Sequence, residues 1–168
     1  MNRFVRRVLV PLTALVAGLL PGVIVVQQAE AITKMTHSQA AAIFSAAGIT
    51  WSSTGNCSDW NVPTCTSFTN MNDTTVYGAR TFKQASGCAM RVTGGTEVGH
   101  ASGTYSHRNG YKIDWALSTC IQNYINANFT RISNRPGDNA PRWQSGAGNI
   151  YARESNHWDV LYYNCGGC

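Results

Sequence analysis

The sequence predicts an α+β fold, with a small, mostly antiparallel sheet and about three helices, stabilised by disulfides. Three segments carry the capping residues of short helices, and residues 111–117 alternate between apolar and polar side chains as half-buried strands do. The chain also contains six cysteines, an even number that suits paired cysteines in an exported protein. Together these features indicate one disulfide-bonded domain of mixed secondary structure.

The predicted helices are bounded by recognisable capping residues. They cover residues 37–47, 74–85 and 119–128. Thr36-x-x-Gln39 forms a capping box, in which each side chain satisfies the backbone N–H of the other residue. Asp73 and Ser118 are expected to cap the second and third helices, and Gly87 is expected to end the second.

The predicted strands are short and lie mostly in the second half of the chain. They cover residues 88–93, 111–117, 129–132, 149–153 and 157–163. The last two form a hairpin with Ser155-Asn156 at or near its turn. The predicted loops, rich in small and polar residues, are 51–72, 94–110 and 133–148.

The N-terminal segment has the pattern of a secretory signal. Three arginines precede an apolar run over residues 8–26, and Ala29-Glu30-Ala31 supplies a cleavage site of small residues. Prolines inside the run disfavour the alternative, a membrane-spanning anchor. We therefore expect cleavage after Ala31, with residues 1–31 as signal peptide and 32–168 as a single secreted domain without a membrane anchor.

The charge of the chain is mildly positive. The formal net charge is +5, and removal of the signal, with its three arginines and one glutamate, lowers it to +3. Such a balance suits an anionic polymer such as cell wall, although ordinary solubility explains it equally well. The basic residues form no clustered stripe, so nucleic acid is not an expected partner. A monomer is the default expectation for oligomeric state.

The cysteines are expected to form three disulfides in an oxidising compartment. One pair closes a short loop, one ties a strand to a helix, and one forms a small ring at the C-terminus. The expected pairs are Cys57–Cys65, Cys88–Cys120 and Cys165–Cys168. The alternative for the last pair is a metal-binding Cys-x-x-Cys, which lacks a second matching pair.

The candidate functional residues are histidines and carboxylates, because common nucleophile motifs such as Gly-x-Ser-x-Gly are absent. His107 ends a polar loop, Asp114 lies in an alternating strand, and His157 begins a later strand. Two imidazoles and one carboxylate suit Zn²⁺ and leave a fourth position for water. Glu154, three residues before His157, is placed to serve as a general base.

Each of these residues also has an ordinary structural explanation. A loop histidine such as His107 is usually a surface residue, and residues 157–159 could form one solvated strand face. Asp114 is the most informative residue, because strands disfavour aspartate and burial of its charge is costly. A capped or ion-paired structural aspartate is the alternative for that position.

Two blocks of the sequence resemble a known family. Residues 106–114, Ser-His-Arg-Asn-Gly-Tyr-Lys-Ile-Asp, resemble the Ser-x-His-x-x-Gly-x-Ala-x-Asp signature of the zinc D-Ala-D-Ala carboxypeptidases and related cell-wall endopeptidases. Residues 154–157, Glu-Ser-Asn-His, resemble the Glu-x-x-His block of that family. The resemblance covers roughly residues 92–163 and rests on few specific positions.

The resemblance implies a central antiparallel sheet that carries one zinc ion. His107, Asp114 and His157 would be its ligands, and Glu154 would be the catalytic base. It also implies hydrolysis of peptide bonds in the stem peptides of peptidoglycan, either as a D-Ala-D-Ala carboxypeptidase or as an endopeptidase. Asp159 could orient a ligand imidazole.

The sequence departs from the family pattern in three places. Ser106 directly precedes His107, and Lys112 and Ile113 stand where small residues are common. The family arginine that binds or polarises the substrate is missing from the comparable stretch, residues 93–97. The candidates to replace it are Arg80, Arg91, Arg108 and His100.

Two further residues have more than one interpretation. His100, seven residues before His107, is the main rival ligand, with a substrate contact or a plain loop histidine as alternatives. Trp158 is either a wall of the substrate pocket or a core residue. Which bond is cleaved does not follow from these residues.

Two other functions are kept beside the zinc peptidase. A secreted cell-wall-binding or inhibitor protein could retain the zinc fold without catalysis. The missing arginine favours such a protein, whereas Glu154 disfavours it because a binder has no need of that carboxylate. A disulfide-rich structural domain without a metal is the third hypothesis.

Overall fold

The computed structural model describes residues 31–163. The predicted signal segment and the Cys165–Cys168 pair lie outside these residues. The helices are α1 His37–Ala46, α2 Asp73–Ser86 and α3 Thr119–Asn128. The strands are β1 Lys34–Met35, β2 Ile49–Trp51, β3 Met71–Asn72, β4 Met90–Gly94, β5 Lys112–Ala116, β6 Thr130–Ile132, β7 Arg142–Gln144, β8 Ile150–Arg153 and β9 His157–Leu161. Over this range, no helix has the length and apolarity needed to cross a bilayer.

The α+β class is confirmed, but the expected small sheet is wrong. Seven strands form one mixed sheet in the order β2-β4-β5-β9-β8-β7-β6, and β1 pairs with β3 in a separate two-stranded sheet. β2 lies parallel to β4, whereas every other neighbouring pair is antiparallel. The prediction missed β1, β2, β3 and β7, each two or three residues long, because so short a segment shows no reliable alternation.

The helix ends follow local capping chemistry. The capping box before α1 is confirmed: Thr36 N–H donates to Gln39 Oε1 at 2.9 Å, and Gln39 N–H donates to Thr36 Oγ1 at 3.3 Å. Ser118 caps α3 through the backbone N–H of Ile121. The first residues of α1 and α3 are therefore set by side chains that satisfy an otherwise unpaired N–H.

The second helix begins one residue earlier than predicted. Its N-cap is Asn72, not Asp73, and Asp73 occupies the first turn. A carboxylate there still stabilises the helix, because it faces the positive end of the helix dipole. Gly87 ends the helix as expected, with a φ of 65° that favours glycine.

The core lies on one face of the sheet, under the helices. Ile113 and Trp115 of β5 and Trp158 and Val160 of β9 are fully buried there with side chains of all three helices. The alternation predicted for β5 is therefore real, and it places Asp114 on the opposite face. The cross-strand register pairs Asp114 with Asp159, so both carboxylates occupy this second face.

Two of the predicted disulfides are present. Cys57–Cys65 closes a loop after β2, and Cys88–Cys120 joins the segment before β4 to the first turn of α3. No free cysteine occurs among the described residues. The second disulfide ties the helical layer to the sheet, and both are typical of proteins from oxidising compartments.

A β-bulge interrupts the pairing of β4 with β5. Val92 lies opposite Trp115 and Gly94 lies opposite Asp114, so Thr93 is an extra residue in β4. The bulge ends the regular strand where the long loop to β5 begins, beside Asp114. Bulges often re-aim side chains next to functional sites.

Candidate metal centre

Three predicted residues converge on the open face of the sheet. Asp114 comes from the middle of β5, His157 begins β9, and His107 comes from the loop before β5. The Nε2 atoms of His107 and His157 lie 3.3 and 3.4 Å from the same atom, Asp114 Oδ1. Asp114 and His107 are both buried.

The hydrogen bonds of the two histidines determine which ring nitrogens are free. His107 Nδ1 lies 2.7 Å from the carbonyl oxygen of Gly95, and His157 Nδ1 lies 2.7 Å from Asn156 Oδ1. Both partners are oxygen acceptors, so each Nδ1 carries the proton and donates it. In a neutral imidazole, Nε2 then has a free lone pair. Both lone pairs are available on the side that faces Asp114.

The convergence leaves a carboxylate oxygen without a donor. Among the described residues, buried Asp114 Oδ1 has no partner with hydrogen-bond geometry, although two imidazole nitrogens lie 3.3 and 3.4 Å away. Buried polar atoms without a partner are rare and costly. Three acceptor atoms around one point require a cation, either a proton on an imidazole or a metal ion.

The groups around His107 stabilise a positive charge on its imidazole. Burial lowers the pKa of this imidazole, but the adjacent carboxylates of Asp114 and Asp159 and the Gly95 carbonyl outweigh it and hold the pKa above its ordinary value. The distances from Asp114 Oδ1 to the Nε2 atoms of His107 and His157 are also those expected between neighbouring ligands of one metal ion. Ligand atoms about 2.0–2.2 Å from tetrahedral zinc lie roughly 3.3–3.6 Å from one another.

A second combination of residues includes His100. One ligand atom from each of His100, His107 and Asp114 lies within 4.8 Å of the others, so this group could hold a metal ion. However, the rings of His100 and His107 stack, with centroids 3.9 Å apart and planes only 14° from parallel. An imidazole lone pair lies in the ring plane, so two stacked rings direct their lone pairs poorly toward one ion. This geometry favours His157 over His100 as the partner of His107.

The face beyond the histidines is strongly charged. Asp159 Oδ2 accepts from Lys112 Nζ at 2.7 Å and from Arg135 Nη1 at 2.6 Å. Burial raises the pKa of Asp159, but the charges of Lys112, His107 and Arg135 outweigh it and keep the pKa below its usual range. Its other oxygen, Oδ1, has no hydrogen-bond partner within residues 31–163 and lies 3.9 Å from His107 Nε2.

Asp159 therefore does not have the orienting role expected of it. A residue that orients a ligand imidazole contacts the nitrogen away from the metal, which is Nδ1 in His107. The Gly95 carbonyl makes that contact, whereas Asp159 faces Nε2. Orientation of His107 therefore comes from the main chain after the bulge.

Glu154 also lies at the centre. It follows β8, and its Oε2 atom is 3.6 Å from His157 Nε2. Its Oε1 atom forms an ion pair with Arg135, which also pairs with Asp138. One carboxylate oxygen thus faces the candidate ligands while the other is held by a cation.

These residues line an open cavity of about 790 Å³. Its walls include all four predicted centre residues, namely His107, Asp114, Glu154 and His157. Lys112, Arg135 and Asp138 add charge to the same walls. A peptide-sized ligand could therefore reach the candidate metal position from solvent.

The other predicted substrate residues are placed differently. His100 lines the cavity, but Trp158 is fully buried in the core on the far face of β9. Arg108 lies against the ring of Trp60 and donates to its carbonyl oxygen at 2.9 Å. Arg91 is exposed on β4. Of this set, only His100 contributes to the cavity wall.

Sequence reasoning missed two charged residues at the site. Arg135 lies in a stretch expected to be a plain loop, and its partners Glu154 and Asp159 are distant in sequence. Glu97 lies in the stretch considered only for its missing arginine, yet it is buried and hydrogen-bonded to His100. A buried charge in a polar loop gives no local pattern, so neither residue had a detectable signal.

Comparison with models of known protein families, with curated proteins and with solved structures gives no match in any of the three.

The glycine opposite Asp114 provides a test that substitutes none of the candidate ligand residues. A Cβ added at Gly94 would lie 2.5 Å from Asp114 Oδ2 and 3.0 Å from His100 Cε1. Gly94→Ala is therefore expected to displace the carboxylate and to weaken zinc binding at least about tenfold, as loss of a supporting contact does. Isothermal titration with zinc measures this change.

Gly146→Ala is the matched control, because a Cβ there meets nothing within 4 Å and its φ is not in the left-handed region. The control should bind zinc like the wild type. Equal zinc affinity in both variants would show that the close approach of Gly94 to Asp114 does not shape the centre.

Proposed function

We propose that this protein is a secreted zinc peptidase that hydrolyses peptide bonds in the stem peptides of peptidoglycan. The observation that carries the proposal is the convergence of two free imidazole lone pairs on a buried carboxylate oxygen that has no donor. The resemblance of residues 106–114 and 154–157 to the zinc D-Ala-D-Ala carboxypeptidases supports the same ligands, His107, Asp114 and His157.

Zinc is the ion that best suits this donor set. Two imidazole nitrogens and one carboxylate oxygen form a borderline-soft site, and three protein ligands are typical of catalytic zinc. When bound, zinc lowers the pKa of water and polarises a carbonyl group. The open cavity gives substrate and water access to the remaining position.

Glu154 is the proposed general base. Its Oε2 atom lies beside His157, close enough to take a proton from the attacking water and return it to the leaving amine. Arg135 holds the other oxygen of the carboxylate and so restricts its orientation. Glu154 thereby has one fixed oxygen and one oxygen available for proton transfer.

Lys112 and Arg135 are the proposed replacements for the missing family arginine. Both line the cavity, whereas Arg91 and Arg108 do not. Arg135 is already bonded to three carboxylates, from Asp138, Asp159 and Glu154. Lys112 has one bond in the described structure, to Asp159, and an ammonium group has three donors. Lys112 is therefore the better candidate to bind a substrate carboxylate or carbonyl.

The substrate class follows from location and charge. The N-terminal pattern and the two disulfides suit a protein outside the cytoplasm, and the Lys112 ammonium on the cavity wall suits a carboxylate of a stem peptide. Digestion of purified peptidoglycan, analysed by mass spectrometry of the released fragments, tests this. Shortened or uncrosslinked stem peptides that disappear with a zinc chelator would support the proposal.

A catalytically inactive wall-binding protein is the second candidate. The ion pair between Glu154 and Arg135 favours it, because the guanidinium already engages a carboxylate that a general base needs to keep available. In that case the zinc-loaded protein would sediment with peptidoglycan but leave every stem peptide intact. That result would contradict the peptidase and leave the metal centre standing.

A further inference from the structure

Glu97 is a buried carboxylate that the proposed reaction does not use. It lies in the loop after β4 and is 3% exposed. Its Oε2 accepts from the backbone N–H of Ser67 at 2.7 Å, and both its oxygens accept from the N–H of Gly95 at 3.0 and 3.1 Å. Charge at this depth is costly unless it is fully hydrogen-bonded. These hydrogen bonds stabilise the buried carboxylate of Glu97 and fix its position.

The first connection runs through the Gly95 residue to a candidate ligand. The N–H of Gly95 donates to Glu97, and the carbonyl oxygen of the same residue accepts from His107 Nδ1 at 2.7 Å. Holding the N–H side of Gly95 restrains the direction of its carbonyl. Glu97 thus acts on the nitrogen that determines the tautomer of His107, without touching the imidazole.

The second connection is direct. His100 Nε2 lies 3.2 Å from Glu97 Oε1. Burial raises the pKa of Glu97, but hydrogen bonds from His100, Ser67 and Gly95 outweigh it and keep the pKa below its usual range. An ionised carboxylate only accepts, so Nε2 of His100 carries the proton. The free Nδ1 then faces Asp114 Oδ2, 3.8 Å away.

We propose that Glu97 is a positioning residue that presets the metal centre by holding His107 through Gly95 and His100 by a direct hydrogen bond. This inference rests on the metal site of the proposed function. In this proposal the loop after the bulge does more than connect β4 to β5. The Glu97 carboxylate, which is not itself a proposed ligand, determines which ring nitrogen of His107 and of His100 carries no proton. Carboxylates behind ligand histidines commonly raise metal affinity in this way.

A merely structural role would be to anchor the loop, and Thr96 offers the matched control for it. Thr96 Oγ1 donates to the carbonyl oxygens of Ser67 and Thr69 at 3.1 and 2.7 Å, in the same loop but without a link to a histidine. Thr96→Val removes these two hydrogen bonds, which anchor the loop, and changes no contact of a histidine. Glu97→Gln keeps the size of the side chain but replaces one acceptor oxygen and removes the charge.

The experiment compares zinc affinity, by competition with a fluorescent chelator, and the thermal midpoint of the metal-free protein. Glu97→Gln should bind zinc about 10- to 100-fold more weakly than the wild type. Thr96→Val should lower the thermal midpoint and leave the affinity unchanged. Unchanged zinc affinity in Glu97→Gln, or an equal loss of zinc affinity in Glu97→Gln and Thr96→Val, would overturn the positioning role of Glu97. Neither result would contradict the metal site itself.

A second measurement on the metal-free wild type covers the case in which Glu97→Gln does not fold. Nitrogen-15 NMR of the side chains, recorded at a pH where both imidazoles are neutral, should find the Nδ1–H tautomer for His107 and the Nε2–H tautomer for His100. The opposite tautomer at either ring would overturn the proposal. If the tautomers are as expected but the wild type binds no zinc, the proposed function fails and the metal-positioning role fails with it.

Discussion

The Asp114→Asn variant is expected to lose zinc binding and to keep its fold. Asparagine has the size of aspartate but no charge, so the only anionic ligand of the proposed set disappears. The loss should exceed the roughly 10- to 100-fold effect of removing an outer partner. Because Asp114 Oδ1 is buried without a donor, it costs about 1–3 kcal/mol in the absence of a cation. The metal-free variant should therefore be at least as stable as the metal-free wild type.

Two measurements are needed for this variant: zinc content after dialysis against buffered zinc, and the thermal midpoint with and without the metal. Asp59→Asn is a matched control, since Asp59 is exposed in the Cys57–Cys65 loop. Zinc should raise the midpoint of the control and the wild type but not that of Asp114→Asn. An unfolded Asp114→Asn protein would instead indicate a structural aspartate.

The second large effect is expected at Glu154. Glu154→Gln should slow stem-peptide hydrolysis by about 10²- to 10⁴-fold, the usual contribution of a positioned general base. Zinc binding should be unchanged, because Glu154 is not among the proposed ligands. Glutamine also keeps an oxygen that can accept from Arg135, so the cavity wall is retained.

The readout for this variant is the rate of peptide release from peptidoglycan at saturating zinc, with zinc content measured on the same sample. Asp59→Asn again controls for loss of a carboxylate elsewhere. A rate equal to that of the wild type would remove Glu154 from the mechanism. Loss of both rate and zinc would make Glu154 a ligand instead of a base.

The sequence predicted candidate residues that lie in, or next to, regular elements. Asp114 was identifiable because strands disfavour aspartate and burial of its charge is costly, and the structure places it buried in the middle of β5. His107 and His157 followed from their positions at the ends of a loop and a strand. The capping box of Thr36 and Gln39 was readable because it is a contact between near neighbours in sequence.

The features that the sequence could not predict depend on contacts between residues that are far apart in the chain. Glu97 and Arg135 lie in polar loops, and their importance comes from partners that the chain brings together only when folded. The extra residue at Thr93 depends on pairing with β5, so no local pattern marks it. The choice between His100 and His157 depends on the angle between two rings, which residue spacing does not contain.

The metal centre is tested most directly by the zinc content of the purified, disulfide-intact protein beside two variants, His157→Ala and His100→Ala. We expect about one zinc per chain in the wild type and in His100→Ala, and little in His157→Ala. Retention of zinc by His157→Ala with loss by His100→Ala would reassign the third ligand. A folded wild type that holds no zinc and cannot be reconstituted would contradict the metal centre and the peptidase built on it.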